Sequence, residues 1–166
     1  VTPQQFGALI TSDHGVVGVE EQSRHKDKFL LVVQDQFTMW LQYYAVKSKS
    51  AKDTAAAFQK FLGPDVRPGV VYTDCSAEFR NALASLGMSH ATSTPRRPQT
   101  NGIAERAIRR VKEGTSCAIV QSGFVEEWWA EATECYSYLR CVTDKLANGK
   151  TPYEMRFGHK FMGKRI

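Results

Sequence analysis

The chain has 166 residues, of which 42% are hydrophobic and 23% are charged, and its formal net charge is +5. This composition is ordinary for a soluble globular protein, and the length suits one domain with a sizeable core. No apolar run approaches the roughly 20 residues of a membrane span, and the polar start does not resemble a signal peptide. These features argue against a membrane protein, and the basic charge leaves a polyanionic partner open.

The four cysteines are scattered, without a CxxC motif or a nearby His pair at zinc spacing. Such spacing predicts free thiols of a reducing compartment, with neither a structural zinc nor a disulfide framework. The chain starts without Met and ends in a basic run at residues 164–166, which predicts a segment of a longer polypeptide.

In chain order, the first three elements are predicted to be strands. Residues 6–12 form the first and deliver Asp13 and His14 at its end. The unbroken apolar run FLLVV at residues 29–33 is typical of a strand buried on both faces. Residues 39–46, rich in aromatics, are expected to pair with it as a hairpin.

Helices and strands then alternate. The predicted elements are a helix at 51–62, a strand at 69–73 that ends in Asp74, a helix at 78–86, a strand at 88–92, and two long helices, one from Asn101 to about residues 122–123 and one at 126–142. The last helix carries an apolar stripe that is expected to face the core, namely Trp128, Ala132, Cys135, Leu139 and Val142. Residues from Thr151 onward are predicted to be irregular. This order predicts an α/β domain with a mixed sheet.

Residues 93–112 read STPRRPQTNGIAERAIRRVK, a basic, Pro-punctuated loop that runs into a helix. Helical spacing puts Glu105, Arg109 and Lys112 on one face, with Ser116 continuing it. A separate, mostly apolar stripe can face a core and consists of Ala104, Ile108, Val111, Thr115 and Ala118. The polar face suits a metal ion next to nucleic-acid phosphates, but a solvated helix with a Glu–Arg pair explains it as well.

Three carboxylates come from three separate elements. Asp13 and Asp74 fall at predicted strand ends, and Glu105 opens a helix. Sites of α/β sheets collect at the carboxyl ends of strands, and two Mg²⁺ ions held by carboxylates can promote phosphoryl displacement. Each acid also has a simpler explanation: Asp13 as a turn residue, Asp74 as a helix cap and Glu105 as a partner of the helix dipole. Their combination beside a basic loop favours a metal site.

The most specific motifs are TDCSAEF at residues 73–79 and TPRRPQTNGIAER at 94–106. Together they resemble the catalytic core of retroviral and retrotransposon integrases. The segment VQDQFTMW at 33–40 is similar to the family's second strand. The segments WWAEA at 128–132 and KTPYE at 150–154 resemble the copia-type branch most. The resemblance runs from about residue 6 to residue 158.

The resemblance implies a ribonuclease H-like fold, a mixed five-stranded sheet flanked by helices, over a catalytic core domain at residues 1–158 with an irregular tail at 159–166. It also implies a catalytic and metal-binding DDE triad of Asp13, Asp74 and Glu105, with two Mg²⁺ or Mn²⁺ ions. Asp35 competes with Asp13, but the matching Asp of the family is not a metal ligand. Cys75 and Ser76 replace the family's usual Asn-Gly. The expected DNA-binding residues are Arg96, Arg97, Gln99, Asn101, Arg109 and Lys112.

The implied activity is DNA integration by a polynucleotidyl transferase and endonuclease: 3′-end processing of donor DNA, then strand transfer into target DNA. Expected partners are donor and target DNA and further copies of the chain, with no membrane, within a longer polyprotein. The expected location is a cytoplasmic particle and then the nucleus. Two alternatives stay open: a catalytically decayed or domesticated remnant that still binds nucleic acid, and a cellular ribonuclease H-type nuclease.

Overall fold

The computed structural model describes residues 2–16, 22–92 and 102–163, with the side chains of residues 102–104 excepted. Five strands form one mixed sheet in the order β3-β2-β1-β4-β5. The strands are β1 (Leu9–Val16), β2 (Phe29–Asp35), β3 (Leu41–Val46), β4 (Val70–Thr73) and β5 (His90–Thr92). β1, β2 and β3 pair antiparallel, whereas β4 runs parallel to both β1 and β5. This arrangement confirms the predicted mixed five-stranded sheet.

Helices flank the sheet on both faces. They are α1 (Ala51–Leu62), α2 (Ala77–Ser85), α3 (Gly102–Ser122), α4 (Trp129–Thr143) and α5 (Pro152–Phe157), with a 3₁₀ turn at Glu126–Trp128. Across the described part of the chain, no helix is both long and apolar enough to cross a membrane.

The central strand β2 explains why the chain needs helices on both faces. Leu31 and Val33 pack with α1 and α2 on one face of the sheet, whereas Leu30 and Val32 pack with α3 and α4 on the other. All four side chains are almost fully buried. Burial on both faces requires a continuous apolar run, and the strand predicted at residues 29–33 is confirmed.

Two sequence predictions are wrong in detail. β1 begins at Leu9 and ends at Val16, so Asp13 lies within the strand and not after its end. The reason is that residues 10–16 find antiparallel partners along β2, which short-range patterns do not reveal. In α4 the buried face follows the predicted stripe only in part, since Val142 is buried and Cys135 is exposed. The buried positions are Trp129, Ala130, Thr133, Ser137, Cys141 and Val142.

The prediction of irregular structure from Thr151 onward is also wrong, because α5 has a complete capping box. The Thr151 side chain accepts a hydrogen bond from the N–H of Glu154, whose carboxylate accepts one from the N–H of Thr151. Arg156 then fastens α5 to the core: it donates to the carbonyl of Phe61 at 2.9 Å, and its guanidinium lies 4.8 Å from the ring centroid of Trp40. The predicted domain limit at residue 158 stays a prediction.

α3 and α4 cross closely at Gly114. A Cβ atom added to Gly114 would overlap the ring of Tyr136 on α4. Next to this point, the hydroxyls of Thr115 and Thr133 lie 3.2 Å apart between the two helices. The missing side chain of Gly114 therefore sets how near α4 comes to the helix that carries Glu105.

Gly114→Ala is expected to destabilise the protein by about 1–2 kcal/mol, because overpacking at the crossing outweighs the higher helix propensity of Ala. In a Tyr136→Ala background the overlap is gone, so the same change should stabilise by up to about 1 kcal/mol. Urea unfolding of the four proteins measures both effects. An equal effect of Gly114→Ala in the two backgrounds would show that the ring is not what excludes a side chain.

Candidate active site

The register of β1 and β4 brings two of the predicted acids together. In this parallel pair Thr11 lies level with Tyr72, and two residues further along both chains Asp13 comes level with Asp74, the first residue after β4. Neighbouring strands lie about 4.8 Å apart, and residues at equivalent positions point to the same face. The end of β4 therefore places Asp74 beside Asp13, although 60 residues separate them in the chain.

The N-terminal half of α3 lies over the same face of β1. Gly15 points to the same side as Asp13, since alternate residues of a strand share a face. A Cβ atom at Gly15 would lie only 3.3 Å from Cγ2 of Ile108. Glu105 precedes Ile108 by three residues, so both lie on one side of the helix. This packing brings Glu105, which is exposed, toward the two aspartates.

The three carboxylates also interact through their charges, as the pKa of Asp13 indicates. Burial raises the pKa of Asp13, and the negative charges of Asp74 and Glu105 raise it further. A hydrogen bond from the N–H of His14 and the positive charge of Lys49 act in the opposite direction. A cation bound nearby would offset the repulsion among these carboxylates.

Each aspartate uses one carboxylate oxygen to accept a hydrogen bond from the backbone of a residue just after it. Oδ1 of Asp13 accepts the N–H of His14 at 2.8 Å, and Oδ1 of Asp74 accepts the N–H of Ser76 at 3.0 Å. Among the described residues, the second oxygen of each carboxylate has no hydrogen bond. The carboxylates are thus oriented and still have an oxygen for a ligand.

The donor set fits Mg²⁺ or Mn²⁺, which prefer carboxylate oxygens and retain several waters. Within the described part of the chain, no group of three His, Cys, Asp or Glu side chains lies close enough together to hold a metal ion. Like charges keep carboxylates apart until a cation neutralises them.

The turn after β4 is formed without the family's usual Asn-Gly. Asp74 holds it by accepting a hydrogen bond from the N–H of Ser76, the residue directly before α2, whose own side chain makes no capping hydrogen bond. From the other side, the hydroxyl of Thr73 donates to the carbonyl of Asp74 at 2.8 Å, and Nε2 of His90 lies 2.8 Å from that hydroxyl. The sequence prediction missed Thr73 and His90; only strand pairing places His90 next to β4.

Asp35, the alternative to Asp13 as a metal ligand, has a structural role. It is fully buried, and its Oδ1 accepts the N–H of Gly7 at 2.9 Å. Its Oδ2 accepts from both the N–H and the hydroxyl of Thr38, each at 2.7 Å. Three hydrogen bonds tie this carboxylate to the turn between β2 and β3 and to the start of the chain, which leaves it unsuited to a metal ion.

His14 belongs to the opposite face of β1 from Asp13. Its ring packs on Phe79 with centroids 4.5 Å apart, and its Nε2 lies 3.2 Å from the hydroxyl of Thr54. Burial, reinforced by the charge of Lys49, lowers the pKa of His14 to about 4. The imidazole is therefore neutral at pH 7 and serves the packing of α1 and α2 on the sheet.

Tyr43 fixes α3 from below. Its hydroxyl, buried under the helix, donates to the carbonyl of Ala107 at 2.7 Å, two residues after Glu105. No local pattern marks this tyrosine, since its partner lies 64 residues further along the chain.

The cationic face of α3 is where helical spacing predicts it. Arg109, Lys112 and Ser116 are exposed, whereas Val111 and Thr115 are buried against the sheet and α4. Arg109 and Lys112 therefore continue the face on which Glu105 stands. The other predicted DNA-binding residues, Arg96, Arg97, Gln99 and Asn101, lie outside the described residues.

No family model matches the chain. The chain is 29% identical over 138 residues to the retrovirus-related Pol polyprotein from transposon RE2 of Arabidopsis thaliana, covering 79% of this chain and 10% of that protein. It is 26% identical over 148 residues to the corresponding polyprotein from transposon TNT 1-94 of Nicotiana tabacum, covering 87% of this chain and 10% of that protein.

Among solved structures, the HTLV-2 integrase catalytic core domain in complex with magnesium superposes with a TM-score of 0.67 at 18% identity, over 92% of this chain and 97% of that one. A chain of the simian T-cell lymphotropic virus intasome in complex with PP2A regulatory subunit B56 gamma gives a TM-score of 0.72 at 18% identity, over 98% of this chain and 60% of that one.

The predicted resemblance to integrase catalytic cores is confirmed. The fold of the chain is that of the integrase core, the ribonuclease H-like fold, and its sequence relatives include Pol polyproteins of retrotransposons. The chain spans about a tenth of the length of the curated relatives it matches.

Proposed function

We propose that this chain is the catalytic core of a retrotransposon integrase. The observation that supports this most directly is the strand register that sets Asp13 beside Asp74, under the helix turn that carries Glu105. The relatedness to Pol polyproteins of retrotransposons adds to it. The reaction would have two steps: water attacks a phosphodiester near the donor end and frees a 3′-hydroxyl, and that hydroxyl then attacks a phosphodiester of target DNA, releasing a target 3′-hydroxyl.

The chain's own residues would hold and orient the reactants. Asp13 and Asp74 would share the metal ligation through the carboxylate oxygens that accept no backbone hydrogen bond, and Glu105 would complete the site. Bound divalent ions supply activation of the attacking hydroxyl and neutralisation of the leaving 3′ oxygen. Arg109 and Lys112, exposed on the Glu105 face, would bind donor DNA phosphates. We assign the same task to Arg96, Arg97, Gln99 and Asn101 from the sequence resemblance alone.

The proposed partners are DNA and further copies of this chain. Multimeric states support the second: the HTLV-2 integrase core occurs in trimeric and dimeric forms, and the simian T-cell lymphotropic virus protein belongs to an intasome. Residence within a longer polyprotein and action in the nucleus after a cytoplasmic particle follow from this function and stay predictions.

A branched-DNA disintegration assay tests the proposal. With Mn²⁺ present, the 3′-hydroxyl of the target strand beside the branch is expected to attack the phosphodiester that joins donor to target, which reseals the target strand and releases the donor with a free 3′-hydroxyl. Chelation with EDTA should abolish the product, because three carboxylates without a cation cannot stabilise the charge of the transferring phosphoryl group.

The same assay separates the alternatives. A folded protein that binds DNA in a salt-sensitive way but gives no product with Mn²⁺ would support the decayed remnant, in which Cys75 and Ser76 spoil the turn at Asp74. Cleavage of the RNA strand of an RNA–DNA hybrid, without DNA strand transfer, would instead identify a ribonuclease H-type nuclease.

A further inference from the structure

The end of β4 is supported from behind by a short hydrogen-bond chain. In the pairing of β4 with β5, His90 lies level with Val71, so its side chain shares a face with Val71 and Thr73. Asp74 points to the other face, toward Asp13. His90 and Thr73 therefore lie on the side of the sheet that the catalytic chemistry does not use.

The directions of the hydrogen bonds follow from the proton count. The Thr73 hydroxyl has one proton, which it donates to the carbonyl of Asp74 at 2.8 Å. Nε2 of His90, 2.8 Å from the same oxygen, must then be the donor, so the ring carries its proton on Nε2. The chain of donation runs from His90 through Thr73 to the backbone of Asp74.

These hydrogen bonds lie just beyond the end of β4, where strand pairing no longer holds the backbone. β4 ends at Thr73, so the carbonyl of Asp74 lies beyond the strand ladder. Thr73 itself is 1% exposed, and its hydroxyl gives that carbonyl the partner that the ladder would otherwise provide. The N–H of Ser76 donates to Oδ1 of Asp74 as well, so Asp74 is held at both its carbonyl and its carboxylate.

We propose that His90 and Thr73 are positioning residues, which fix the backbone of Asp74 so that its carboxylate meets Asp13 in the geometry that a divalent cation requires. The inference rests on the proposed function, since it assumes that Asp74 binds a metal ion. Partners that orient a ligand in this indirect way typically change metal affinity or activity by about 10–100-fold when removed.

Four variants test the chain in matched pairs. His90→Leu and Thr73→Val remove the donor and the hydroxyl at nearly constant volume, whereas His90→Gln and Thr73→Ser keep an N–H and a hydroxyl. Thr92→Val is the control, because Thr92 is exposed on β5, lies level with Thr73 in the register, and takes no part in these hydrogen bonds. Three readouts are measured: the Mn²⁺ concentration that half-saturates thermal stabilisation, DNA binding in EDTA, and kcat and KM in disintegration.

His90→Leu and Thr73→Val are expected to raise the half-saturating Mn²⁺ concentration by about 10–100-fold and to lower kcat, with KM for DNA and binding in EDTA unchanged. His90→Gln, Thr73→Ser and Thr92→Val should stay close to the parent. A parent-like Mn²⁺ response in His90→Leu would overturn the inference, as would equal losses in His90→Gln and His90→Leu. If the parent protein itself shows neither Mn²⁺-dependent stabilisation nor product, the proposed function fails, an outcome distinct from failure of the positioning role alone.

Discussion

Replacing Asp74 with Asn is expected to lower the Mn²⁺-dependent disintegration rate by more than about a hundredfold. Removal of groups that merely orient a metal ligand typically costs about 10–100-fold, and Asp74 is proposed to be a ligand itself. Glu105→Gln should have a comparable effect. Glu113→Gln is the matched control, since Glu113 is exposed on the same helix two turns further on. The rate constants of the four proteins, at saturating Mn²⁺, measure the effect.

The same Asp74 substitution should not destabilise the metal-free protein. Because Asp74 helps to raise the pKa of Asp13, the folded state holds the Asp13 proton to a higher pH than the unfolded chain does. Stability linked to this proton is complete below the ordinary pKa of 3.8 and is lost as the pH rises through the raised value. Asp74→Asn removes one of the charges that cause this loss of stability. The melting temperature of the variant in EDTA at pH 7 should therefore equal or exceed that of the parent. Activity within threefold of the parent, or a fall in activity that matches a fall in stability, would contradict the ligand role.

Asp35→Ala is expected to act in the opposite way, lowering the free energy of unfolding by about 3–5 kcal/mol. The carboxylate is fully buried and accepts three hydrogen bonds, and its removal leaves the N–H groups of Gly7 and Thr38 without an acceptor. Buried donors without partners are costly, more so when the lost acceptor is charged. Urea unfolding measures the effect.

Asp65→Ala is the control for Asp35→Ala, because Asp65 is exposed and its replacement should change stability by no more than about 0.5 kcal/mol. Asp13→Asn completes the comparison: it should abolish activity and leave the fold intact. If Asp35→Ala loses activity without losing stability, the assignment of the two acids is reversed.

Local sequence patterns predicted the elements whose burial repeats at short range. The stretch 51–62 is a helix as predicted, because Ser50 caps its first turn and Gly63, with a φ of 76°, ends it. On α3, spacing separates the exposed Arg109 and Lys112 from the buried Val111. In α4 the same kind of argument failed in part, since the choice among several apolar faces depends on where Gly114 lets the two helices approach.

The sequence by itself determined the acids, the cationic helix face, the doubly buried central strand and the resemblance to integrase cores. Only the tertiary structure decided how these parts meet. The position of Asp13 inside β1, its alignment with Asp74, the burial of Asp35 and the support of Asp74 by His90 all depend on strand pairing. Pairing joins residues that are distant along the chain, and a one-residue change of register would turn each of these side chains to the opposite face of the sheet.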